Sequence, residues 1–340
     1  NAMADSFGNK MAADYGFSFT VVSSGPYVYG VPTPAPNSAV TTNKPIIKIN
    51  LRSDKSTIRP STIKLTVDGV TYTTASQAMT YAAEEVRFNI ADAGLALREG
   101  SIEVRLAEAE DELGNRLKSD ASGINPWTFR VDTAGPTAKV GANLISDELP
   151  TSALITVQPS ETLIGVPTLK ATYGDGSISY IDLSDPFGDQ KYFSGVLELA
   201  AIPKSPVTFT FIGTDINGVN SETPITNFSL VKTSIMSPVT VKNQKYYLVG
   251  LPVAPDNTAI ANVLKGLTPG GYTLWEGSDS KRQVAEYIKP GKGYWLLNSS
   301  GSDINISASG YEMSVPMQKF DINLNAGWNL VSFPYNSRVK

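Results

Sequence analysis

Apolar and polar residues alternate with a period of two along short segments of this chain, and few folds can accept that pattern. Ile47, Ile49 and Leu51 fall on one side and Lys48 and Asn50 on the other; Ile63, Leu65 and Val67 alternate with Lys64, Thr66 and Asp68. The pattern returns at Val86, Phe88 and Ile90, at Ile102, Val104 and Leu106, and at Trp127, Phe129 and Val131. Successive side chains of a strand point to opposite faces, so each segment reads as a strand with one buried face. Turn pairs such as Asp68-Gly69 and Gly114-Asn115 separate the segments. Five such strands within roughly a hundred residues predict an antiparallel sandwich. Its core should hold Trp127, Phe129, Ile102, Val104, Phe88 and Val67.

The plan is then repeated. "ALITVQP", "TLKATYGDGSISYIDL", "FSGVLEL", "VTFTFIGTD" and "TNFSLVKT" supply a second set of strands between residues 137 and 233, with Phe209, Phe211, Ile155 and Leu169 as core. A recurring passage marks the repeat: an acidic turn, a polar loop, an alternating strand and Gly-Pro. It reads "EDELGNRLKSDASGINPWTFRVDTAGP" at 110–136, with looser versions at 4–26 and 213–238. Asp5 and Asp111 are 106 residues apart and Asp111 and Asp215 are 104 apart, one domain length each. In the turn, aspartate accepts backbone N–H groups and glycine takes a positive φ. The passage reads as the end of one module and the linker, Gly135-Pro136, to the next. Helical periodicity is confined to residues 75–85 and 257–267, each two or three turns long.

Composition removes whole classes of chemistry. Across 340 residues there is no cysteine and no histidine, which excludes disulfides, thiolate nucleophiles, histidine-ligated zinc and Ser-His-Asp triads. With 28 Lys and Arg against 32 Asp and Glu, the net charge is -4, so no broad basic surface exists to neutralise phosphates and nucleic acid is not an expected partner. No apolar run approaches the ~18 residues of a membrane-spanning helix. "NAM" at residues 1–3 reads as a tag remnant at a chosen boundary.

"DELGN" followed by "WTFRVDTAGP" resembles the C-terminal half of bacterial Ig-like modules found in tandem on secreted and surface proteins. "QPSETLIGVPTLKATYGDGS" followed by "FTFIGTDINGVN" is similar to a second subtype, with Val219 read as an insertion before Asn220 that degrades the turn motif. "PGKGYW" and "GWNLVSFP" resemble a small β-domain often seen at the C-terminal end of bacterial secreted proteins. The resemblance implies an all-β chain, tandem Ig-like β-sandwiches followed by a small barrel-like β-domain. The divisions expected are 1–34, a trailing strand of a truncated module plus linker; 35–135 and 136–236, Ig-like sandwiches; and 237–340, the C-terminal domain. "YLVGLP" and "NLVSFP", with Leu248 and Leu330 82 residues apart, are expected to lie side by side in a nearly closed sheet.

Three candidate chemistries follow. Asp5, Asp111 and Asp215 sit in module-end loops that could supply calcium with oxygen ligands, but none has a dense alternating acidic pattern, so closing the turn is their expected role and no cofactor is expected. Trp275, Tyr287, Tyr294, Trp295 and Trp328 fall within about fifty residues and offer flat faces for sugar stacking; adjacent Tyr294 and Trp295 must face opposite ways, and core packing is the plainer reading. Asp182, Asp185 and Asp189 could supply a glycosidase's paired carboxylates, yet they lie in a polar Pro/Gly segment that reads as solvated surface. The expectation is a non-catalytic extracellular or cell-surface structural or adhesion-type fragment, in which rigid spacers present a terminal domain to a protein or glycan. The alternative is an accessory carbohydrate-binding region of a secreted polysaccharide-active enzyme. Phe17, Phe19 and Val21 form a lone terminal strand, expected to pair with a second copy and give a dimer.

Overall fold

A computed structural model describes residues 4–10, 16, 18, 24–119, 123–144, 151–257, 259–277, 282–314, 324 and 326–332. The expected strand at Phe17, Phe19 and Val21, and the dimer built on it, lie outside the described residues. The chain divides into two compact units, 1–133 and 134–340. Strands dominate both.

In the first unit the alternating segments resolve into two sheets around one core. One sheet has the order Tyr27–Thr33, Ile46–Arg52, Glu85–Asn89, Met79–Ala82; the other runs Ala39–Val40, Trp127–Val131, Gly100–Glu108, Lys64–Val67, Val70–Thr73. Pairing is antiparallel except where Ala39–Val40 runs parallel to Trp127–Val131. Register explains how the period of two becomes a core. Ile47 lies opposite Phe88 and Ile49 opposite Val86 in the first sheet, while Ile102 opposes Phe129 and Val104 opposes Trp127 in the second. Every inward residue of this set is nearly or fully buried, in one cluster. The indole N–H of Trp127 donates to the Pro34 carbonyl at 3.0 Å, so its one polar atom is satisfied inside.

Two local expectations fail here. Residues 27–33, read as linker, form the first strand of the sandwich, with Val28 opposite Leu51. Residues 75–85, read as helical, form a hairpin instead. Met79 is buried while Thr80 and Ala82 are exposed, and Ala83 and Glu84 turn the chain with φ of 50° and 61°. A pair of positive-φ residues is the geometry of a tight hairpin turn, and long-range pairing with Glu85–Asn89 overrides the helical propensity of alanine and glutamate.

The second unit opens with another sandwich, Ala138–Leu144, Ser152–Pro159, Phe193–Glu198 against Ile178–Ile181, Thr168–Thr172, Thr208–Thr214, Asn220–Pro224. Phe209, Phe211, Ile155 and Leu169 are all buried in its core. The remaining strands make two smaller sheets, Lys232–Val241, Ile304–Tyr311, Leu264–Lys265 and Tyr246–Gly250, Gly293–Asn298, Tyr272–Glu276, Gln283–Val284, around a separate core that includes Leu251, Val253, Tyr294 and Leu296. Leu248 opposes Trp295, and the amide of Gly293 donates to Leu330 at 2.9 Å, so the two echoed segments attach to the same strand. The helical signal at 257–267 becomes a single turn, Ile260–Val263.

Sandwich and C-terminal domain are joined by structure, not by a loop. Residues 236 and 237 lie within the ten-residue strand Lys232–Val241. Ala254, Tyr311 and Met313 belong to the core of the sandwich, and Ala254 and Tyr311 exchange backbone hydrogen bonds of 2.9 and 2.7 Å. Beyond them Ser314 donates its amide to the Ala142 carbonyl at 2.9 Å, which places the 311–314 stretch along the sandwich edge strand Ala138–Leu144.

Candidate functional site

The repeated acidic turn has the same geometry at all three positions. The Asp5 carboxylate oxygen Oδ1 accepts the amides of Phe7 and Asn9 at 2.9 and 3.0 Å; Asp111 Oδ1 accepts those of Leu113 and Asn115 at 3.0 and 2.9 Å. Asp215 Oδ1 accepts those of Asn217 and Val219, both at 2.8 Å. The glycine before the closing residue has a φ of 84°, 80° and 88° in turn, at Gly8, Gly114 and Gly218. Val219 is therefore not an insertion. It occupies the position of Asn9 and Asn115, while Asn220 accepts the Thr214 hydroxyl at 2.6 Å.

What differs is the second carboxylate oxygen. Asn9 Nδ2 donates to Asp5 Oδ2 at 3.0 Å, and Asn115 Nδ2 donates to Asp111 Oδ2 at 3.0 Å, with Ser53 Oγ adding a contact of 3.3 Å. These bonds hold both acids below the usual carboxylate range: the Asn9 side chain is the main cause at Asp5, and at Asp111 burial pushes upward but the Asn115 and Ser53 bonds outweigh it. Valine has no donor to offer. Asp215 is fully buried, and its Oδ2 has no hydrogen-bond partner among the described residues.

The Gly-Pro pair is fixed by the same turn. A Cβ on Gly25 would lie 2.1 Å from the Arg116 carbonyl oxygen, and one on Gly135 would lie 2.7 Å from that of Asn220. Arg116 and Asn220 each follow the last residue of their turn, so Gly-Pro docks on the turn of the module it begins. The pair is the first contact of the new module and not a free linker.

The aromatic candidates separate by face. Tyr294 is fully buried, and its hydroxyl accepts the Lys289 amide at 2.9 Å. Trp295 faces the other way. It lies opposite Leu248 on one side and Trp275 on the other, and Trp275 lies opposite Val284, so the four form one row across the sheet. Leu248 and Val284 are exposed, and Tyr246, also exposed, has its ring 5.7 Å from that of Trp275. Tyr246 and Leu248 were missed in the sequence, although the alternation in "YYLVG" marks them. Tyr287 is partly exposed with Lys289 Nζ 5.0 Å from its ring, and Trp328 is exposed.

Two of the three carboxylates considered for catalysis close local turns. Asp185 accepts the amides of Phe187, Gly188 and Gln190, and Asp189 that of Lys191. Burial raises the Asp185 carboxyl, but the Gln190 and Gly188 amides more than offset it and hold the group low, the opposite of what a general acid needs. A groove of about 480 Å³ is lined by Leu154, Tyr180, Asp182 and Val196 among others, and Asp182 is its one carboxyl among the described residues.

No protein-family model matches the chain, and no curated protein matches it. Among solved structures it is similar to a tetra-tandem repeat from the extending region of a large adhesion protein, at 13% identity over 85% of this chain and 74% of that chain, TM-score 0.23. It is also similar to tandem Ig repeats of Dlar, at 12% identity over 59% of this chain and 97% of that chain, TM-score 0.20. At these scores the likeness adds nothing to the fold already read from the strand pairings.

Proposed function

We propose that the chain is a non-catalytic, extracellular or cell-surface spacer of adhesion type, in which Ig-like sandwiches present a C-terminal β-domain. The observation that carries this reading is that residues of the C-terminal domain enter the core of the second sandwich. Ala254, Tyr311 and Met313 are packed into the sandwich, and a continuous strand, Lys232–Val241, replaces the joint. A module whose neighbour completes its core transmits position and load without a hinge. Incubation with a panel of polysaccharides should release no new reducing ends; release that is lost on changing Asp182 or Asp185 would overturn the non-catalytic reading.

A second reading has its own support, in the row Leu248, Trp295, Trp275 and Val284 with Tyr246 beside it. Flat aromatic surface on an open sheet face suits stacking against a sugar ring. A glycan array separates the two readings: under the second, the wild-type chain binds and Trp275→Ala loses binding, whereas under the first no glycan is retained.

A further inference from the structure

Among the described residues, Asp215 is the one member of the three acidic turns whose second oxygen is left without a donor. Its carboxylate and that of Glu161 lie within 4.8 Å of one another. A fully buried carboxylate oxygen with no partner is costly, and a second carboxylate beside it raises that cost. A cation shared by the two carboxylates offsets that cost. Calcium holds oxygen ligands at about 2.4 Å, so two carboxylate oxygens within 4.8 Å of one another are close enough to share one ion. The donors are all oxygen, as a hard cation prefers, and the loops at Glu161 and Asp215 are tied together by the Leu163–Asp215 bridge and by Ile164 donating to Thr214 at 2.8 Å.

We infer that Asp215 Oδ2 and Glu161 bind a calcium ion, and that Val219 is what makes the site. In the sister turns asparagine fills the same oxygen from within, as Asn115 does for Asp111; valine leaves it open to a metal. The turn was thus converted from self-closing to metal-closing by one side chain.

The test is made on the full chain, stripped with chelator and returned to calcium chloride or magnesium chloride alone. Millimolar calcium should raise the unfolding temperature of residues 134–340 by about 5 °C, and magnesium at the same concentration by less, since it dehydrates reluctantly and demands a stricter ligand geometry. Asp215→Asn should remove the rise. Val219→Asn, which supplies the donor found in the other two turns, should also remove it while unfolding in chelator no earlier than wild type, so loss of the response cannot be put down to misfolding. Absence of a calcium-dependent rise in the wild type, or a Val219→Asn protein that responds to calcium like the wild type, would overturn the assignment.

Discussion

The Asp111 carboxylate accepts from four donors, the amides of Leu113 and Asn115, the Asn115 side chain and the Ser53 hydroxyl, and its stabilisation is therefore tied to its charge. Its folded-state value lies below the 3.8 of an unperturbed aspartate, so its contribution is complete above that value and is lost as the pH falls through the folded one. Asp111→Asn should lower the unfolding temperature of residues 1–133 near neutral pH and flatten its decline below about pH 4. Thermal scans from neutral to acid would check this; parallel curves for the two proteins would refute it. Trp127 tests the core at the same scale. It is 4% exposed with its N–H bonded to Pro34, so Trp127→Ala should cost about 3 to 5 kcal/mol by urea unfolding. The aspartate turns were legible in the sequence because each carries its own donors within five residues. The orphaned oxygen of Asp215 was not, since Glu161 is brought near it only through tertiary pairing.

At the scale of elements, strand periodicity carried the reading wherever one face is buried. It failed where local composition opposed the sheet. Residues 79–82 carry alanine and precede two glutamates, yet the register of Met79 opposite Phe88 makes them a strand. Tyr27–Thr33 was missed because Gly30 and Pro32 interrupt its alternation, and Gly30 stands at a positive φ where its pairing with Ile46–Arg52 shifts register. Gly-Pro was misread as a linker since its contact lies about ninety residues further along the chain. That contact gives a prediction. Gly25→Ala drives a methyl against a backbone carbonyl that no side-chain rotation can relieve, and should destabilise the first sandwich by about 1 to 3 kcal/mol. Gly135→Ala, with its Cβ 2.7 Å from the Asn220 oxygen in place of 2.1 Å, should cost the second less. Denaturant midpoints for the two variants, with equal slopes, would check the order.

At the scale of the molecule, the C-terminal domain was legible as a set of strands but not as part of its neighbour. Tyr311 lies in an ordinary alternating strand, and nothing in "SASGYEM" says that its ring enters another module's core. Burial there pushes its phenol up to about 12. Because the unfolded chain ionises first, near 10.0, stability should fall as the pH rises between these values, and Tyr311→Phe should lessen that fall. Alkaline thermal scans of residues 134–340 would show it. The joined core itself is tested most directly by pulling the chain from its two ends in a single-molecule force experiment. Two unfolding events are expected, one releasing the first unit and one releasing residues 134–340 together. Three events, with residues 237–340 released separately from the second sandwich, would contradict a hinge-free spacer.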